Sequence, residues 1–194
     1  MASQLSRSVR LFPTVENQMG MIDLKNSHLI RKLRGGDRRS IGRVPEVVRE
    51  VLKKPELAGE LVVGIVSDDP IIRMRAADAL EKVTKERPAL IGPFKDVLLS
   101  AAAESAQQEV RWHLAQMLPR LELSRKELDG VVSVLRGYLS DKSSIVKVCA
   151  MQALVELGAR DRGLLSSLKP VIEKACRHGS PAMRSRGRKL MAVF

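Results

Sequence analysis

The sequence predicts an all-α protein of about four to five stacked antiparallel helical hairpins. Three observations carry that prediction. Apolar residues make up 44% of the chain but aromatic residues only 3%, so the core must be aliphatic. Such a core suits closely packed helices, whereas strands favour aromatic and β-branched side chains. Four segments align without gaps at spacings of 38, 36 and 37 residues, and a fixed period in this range marks a repeat array. Helix-start signals recur between the aligned segments.

The aligned segments are Asp69 to Leu80, Gln107 to Leu118, Ser143 to Leu154 and Ser180 to Met191. One column is basic throughout: Arg73, Arg111, Lys147 and Arg184. The column before it is apolar, with Ile72, Val110, Val146 and Met183. Three residues after the basic column stand Ala76, Leu114, Ala150 and Gly187, and the last column holds Leu80, Leu118, Leu154 and Met191. These offsets place the apolar positions on one face of a helix.

A partner helix precedes each segment, at roughly 55–66, 89–103, 125–139 and 164–177. Pro55 suits a first helical position. Ser124 with Glu127, and Ser105 with Gln108, have the spacing of a capping box. Pro70 and Pro181 follow the plausible caps Asp69 and Ser180. Gly92-Pro93 should kink or start the second partner helix. Upstream, Asp37 to Lys54 reads as one further helix with Ile41, Val44, Val48 and Val51 on one face, and Pro45 must either bend it or mark its true start. His28 to Arg34 is its candidate partner. Residues 1–25 show no sustained period and read as a tail or loosely docked arm, leaving 26–194 as the repeat domain. A single hairpin cannot bury both sides of its core, so the hairpins should stack into an α-solenoid. Leu190, Met191, Val193 and Phe194 should dock the C-terminus.

Two helices per 36–38 residues, with Asp68-Asp-Pro-Ile-Ile-Arg-Met-Arg-Ala-Ala-Asp-Ala-Leu80 as the best second helix, resemble the HEAT-repeat family. The resemblance covers about residues 38–194. It implies a right-handed superhelix of the HEAT/armadillo type. It also implies that the basic column (Arg73, Arg111, Lys147, Arg184) is structural, bonding an acid or carbonyl near an inter-helix turn. Asp68, Asp69 and Asp141 are candidate acids. Such repeats serve many partners, so the likeness speaks to fold more than to function.

The net charge of +12 is concentrated at the ends. Residues 1–45 hold nine Lys/Arg against three Asp/Glu, residues 46–161 hold 17 against 18, and residues 162–194 hold eight against one. Basic ends point to an acidic partner. No stretch approaches the roughly 20 apolar residues of a membrane span. The expected location is cytoplasmic, although the Ser/Arg-bearing, acid-free start leaves a transit peptide open.

The expected function is a non-catalytic scaffold or adaptor that binds another protein or peptide, with an acidic one the candidate, on the concave face of a monomeric solenoid. Arg75, His113, Gln116, Arg120, Arg186 and Lys189 should line that face, with Asp78, Cys149 and Gln152 in the same columns. An ordinary solvated face is the bland alternative. The cluster Arg31, Lys32, Arg34, Arg38 and Arg39, broken by Gly35-Gly36, is a candidate anion site through exposed amides, or else a solvated turn. Nucleic-acid backbone binding through both basic ends is the second reading, although few aromatics are present for stacking. Some proteins resembling HEAT repeats are alkylpurine DNA glycosylases; here Trp112 lacks the acid one turn on, where Gln116 stands. Trp112 aligns with Met74 and Val148 and reads as packing. His28, His113 and His178 sit in separate elements, and Cys149 and Cys176 read as small buried hydrophobes. No catalytic residue, metal site or cofactor is assigned.

Overall fold

The computed structural model describes residues 27–37 and 39–194. The proposed N-terminal arm, residues 1–25, lies outside them. The described residues form ten α-helices and contain no strand. In order these are α1 (His28–Leu33), α2 (Val44–Lys53), α3 (Ala58–Ile65), α4 (Pro70–Glu86) and α5 (Lys95–Glu104). They continue with α6 (Gln108–Met117), α7 (Arg125–Tyr138), α8 (Ser144–Gly158), α9 (Arg162–His178) and α10 (Pro181–Leu190). Short 3-10 turns precede α3 and α5, at Pro55–Leu57 and Pro88–Phe94. Pro93 sits inside the second of these, so the Gly-Pro pair starts the helix rather than bending it.

The chain divides into two compact units, one ending at Ala101 and the other beginning at Ala102. In the first, α4 is the central helix and packs against α1, α2 and α3. Its buried face carries Ile72, Ala76 and Leu80. Gly64 permits close approach of α3, since a Cβ there would lie 2.8 Å from the Ala76 Cβ. In the second unit, α8 packs against α6, α7, α9 and α10. The second helices α6, α8 and α10 thus pack in series. Met151 and Val155 of α8 join Ile172, Ala175 and Leu190 in one cluster. Full burial of such aliphatic side chains stabilises by about 1.5–3 kcal/mol each.

The apolar columns are buried as the period requires. Ile72, Val110 and Val146 are buried, as are Ala76, Leu114, Ala150 and Gly187. Met183 and Met191, in the last repeat, are half-buried. The four segments share one start. Asp69, Gln107, Ser143 and Ser180 are the caps of α4, α6, α8 and α10, each four residues before its basic residue. Asp69 accepts from the Ile71 amide at 2.8 Å, and Ser180 accepts from the Met183 amide.

Several expectations are corrected. The described residues between 37 and 43 are not helical; α2 begins at Val44, with Pro45 in its first turn. Pro45 therefore marks the start, because its missing amide costs nothing there. Ile41 falls outside the helix and is 51% exposed. Ser105 and Gln108 do not form a capping box: α6 starts two residues later than that box requires, with Gln107 at its cap. Val193 and Phe194 are exposed, and Leu190 alone of the C-terminal set is fully buried. Cys149 and Cys176 form no disulfide and are half-buried rather than fully buried.

Ser124 and Glu127 do form a reciprocal capping box at α7. Replacing Ser124 with Ala should cost about 1 kcal/mol, the usual loss for such a cap. The expected result is a lower urea midpoint with an unchanged slope.

Candidate functional site

The three arginines of the basic column are tied to the turns before their helices. The Arg73 guanidinium donates to the carbonyls of Ser67 (2.7 Å) and Asp68 (3.0 Å). Arg111 donates from Nε to the Ser105 carbonyl at 2.6 Å, and Arg184 to the Gly179 carbonyl at 2.8 Å. Each reaches back five or six residues, into the turn before its own helix. Arg111 also bonds the Asp141 carboxylate at 2.6 Å, one repeat onward. Burial opposes ionisation of Asp141, yet bonds from the Ser143 amide and Arg111, with Lys147 nearby, hold its carboxyl below the usual range. A feature missed at the sequence level recurs here. Ser67, Ser105 and Asp141 each accept from the amide two residues on, which is the capping residue. In α4 and α6 the turn and the arginine therefore form one repeated device.

Arg75 does not face solvent. It is 3% exposed. All five of its hydrogen bonds go to main-chain carbonyls: Leu33 (2.9 Å), Gly35 (2.6 Å) and Ser40 (3.0 Å), with longer bonds to Arg34 and Asp37. The loop between α1 and α2 wraps the guanidinium, helped by positive φ at Gly35 (75°), Gly36 (74°) and Gly42 (54°). Asp78, in the next column, is likewise buried, and Lys82 caps it at 2.7 Å.

The same geometry corrects the anion-site expectation for residues 31–39. The loop aims carbonyls, not amides, at its centre, and a cation already fills it. Lys32 is held by Glu50 (2.7 Å) and Glu46 (2.9 Å), and these bonds, Glu50's first, raise its pKa. Glu46 is pulled down to about 2 by Arg43 and Lys32. His28 also meets Glu50, at 2.5 Å. Arg31, Arg34 and Arg39 remain exposed, and Arg38 lies outside the described residues.

The remaining row residues belong to the second unit. His113, Gln116 and Arg120 are half-buried, whereas Arg186 and Lys189 are exposed. Arg186 donates to Gln152 Oε1 at 2.9 Å, and Gln152 donates to Glu156 at 2.7 Å. The fold therefore brings Gln152 and Arg186 together across α8 and α10. Gln116 turns back to the Trp112 carbonyl at 3.1 Å. The Trp112 ring is half-buried and tilted against His113, with centroids 5.6 Å apart. His28 lies in the first unit and His113 in the second. Among the described residues no three His, Cys, Asp or Glu side chains could hold a metal ion.

These features define an all-helical protein in which α4 and α6 share one cap-and-arginine device, and α8 and α10 each keep one part of it. No family model, curated protein or solved structure matches the chain. No described helix is long and apolar enough to cross a membrane.

Proposed function

We infer that the chain is a HEAT-type α-solenoid scaffold that grips a protein partner and performs no chemistry of its own. The observation that carries this reading is the serial packing of α6, α8 and α10. His113 and Arg186 share one repeat position and Gln116 and Gln152 the next, on exposed or half-exposed surface. Amide and imidazole groups can pair with the polar backbone of an extended segment. Arg120 and Arg186 add charge for an acidic side chain. Arg75 leaves the proposed surface, because its donors are spent on the loop at Leu33 to Ser40. The partner surface is thus assigned to the second unit.

The test is charge reversal at Arg120 and Arg186. Wild type and the double variant, Arg120→Glu with Arg186→Glu, are compared in affinity capture and then in titration with the captured partner. The expected result is a loss of affinity of tenfold or more, about 1.4 kcal/mol, with the thermal midpoint little changed. Equal recovery of every partner by both proteins would reject this surface.

A further inference from the structure

The outer face of α10 has a composition that the protein-binding row does not explain. Arg184, Arg188 and Lys189 are exposed on it, and the positions between and beside them are Pro181, Ala182 and Ser185. At about 100° per residue, these six positions fill the arc opposite buried Gly187 and Leu190. Arg186 sits at the edge of that arc, bonded to Gln152. No described acidic side chain pairs with Arg184, Arg188 or Lys189. The neighbouring helix α9 adds Lys169, Lys174 and Arg177, all exposed, against the single acid Glu173.

We propose that this face of α10 is a phosphate-contact surface for duplex nucleic acid. The three cations span about 7.5 Å of helix axis at a rise of about 1.5 Å per residue. A nucleic-acid strand places a phosphate about every 3.4 Å of its axis, so the span covers about two to three phosphates. Arginine suits this task because its fork of donors matches phosphate oxygens. Arg184 is also pre-set. One Nη donates to the Gly179 carbonyl, and the guanidinium is otherwise exposed. The small residues between the cations let a backbone come close.

The same composition argues against the other polyanions. A protein partner needs an apolar or aromatic anchor for its hot spot, and Pro181, Ala182 and Ser185 supply none. A membrane surface needs an apolar stripe to insert, and this arc has none. Affinity here must come from charge alone, and a polyphosphate supplies it through counterion release. Binding should therefore be sequence-tolerant and steep in salt.

The test is fluorescence anisotropy of the full chain with a short mixed-sequence DNA duplex, at salt from roughly 50 to 200 mM. The probe variant is Arg188→Gln with Lys189→Gln, which breaks no ion pair. A control, Arg34→Gln with Arg39→Gln, removes equal charge from the exposed loop of the first unit. The expected result is a log–log salt slope shallower by about 2 in the α10 variant, from about 0.9 per lost contact, with the control less affected. Affinity at low salt should fall tenfold or more. An unchanged slope would overturn the proposal. So would a control that loses as much, since net charge would then explain binding. Equal affinity for poly-glutamate or for anionic vesicles, lost in the same variant, would reassign the face to an acidic protein or a membrane.

Discussion

Replacing Arg75 with Met should destabilise the first unit by about 3–4 kcal/mol. The guanidinium is buried and its five hydrogen bonds all end on the α1–α2 loop. Bonds from a charged donor contribute about 1.5–3 kcal/mol each in net terms. Several of these carbonyls lie on exposed residues and would recover water, so the losses do not add fully. The Leu33 carbonyl is the costly one, because Leu33 is fully buried. Met fills part of the volume but offers no donor. The expected result is a large drop in urea midpoint and faster tryptic cleavage at Arg34, Arg39 and Arg43. Arg75→Lys should recover only part of the loss, since an ammonium cannot span carbonyls from Leu33 to Ser40. Gly42→Ala should act in the same direction, because its φ is +54° and its Cβ would lie 2.9 Å from the Arg75 guanidinium. An Arg75→Met protein with wild-type midpoint and wild-type cleavage would show that the loop is held by something else.

Arg75 also marks where the sequence stopped being legible. Helical period placed Ile72, Ala76 and Leu80 in the core correctly, because burial on a helix follows spacing alone. The same period put Arg75 in a solvent-facing column. That inference was wrong because exposure depends on what lies across from the helix. Here the cover is a loop more than thirty residues upstream, bent by three glycines with positive φ. A Gly-Gly pair between basic residues invites an anion-site reading. Only the path of the chain reveals that the carbonyls converge instead. The cap-and-arginine device was half legible. The basic column was visible, and so was the carbonyl partner expected for it. The Ser or Asp two residues before three of the four caps was equally present in the sequence, at 67, 105 and 141. A capping box points forward into the helix, whereas this acceptor lies back in the turn. For the proposed surfaces, residue type was legible and exposure was not. Arg186 and Lys189 were expected to be exposed and are, while Lys32 was expected to be available and is held by two glutamates.

Tyr138 gives the second large effect, and it appears only in alkali. This side chain is the only tyrosine of the chain. It is buried at the end of α7, and its hydroxyl donates to the Ala102 carbonyl at 2.6 Å. Arg111 lies over the ring, 5.4 Å from its centroid. Burial pushes the phenol up to about 12, with Arg111 pulling against it and Asp141 adding to it. In the unfolded chain the same phenol should ionise near its ordinary value of about 10. Below pH 10 both states keep the proton and the hydrogen bond is intact. Between about 10 and 12 the unfolded state loses its proton first, so folding becomes less favourable as pH rises. A shift of about two units corresponds to about 2–3 kcal/mol lost across that window. Lysines titrate in the same range, so the comparison must be made against Tyr138→Phe. That variant should lose about 1 kcal/mol at neutral pH, where the Ala102 carbonyl is left without its donor. It should then fall less steeply than wild type above pH 10. The phenolate absorbance of the native protein supplies an independent readout, since no other tyrosine contributes. Its midpoint should lie well above that of the urea-unfolded chain. A native midpoint near 10, or parallel stability profiles for wild type and variant, would mean that the hydroxyl reaches water and that the link from α7 to Ala102 is not closed in solution.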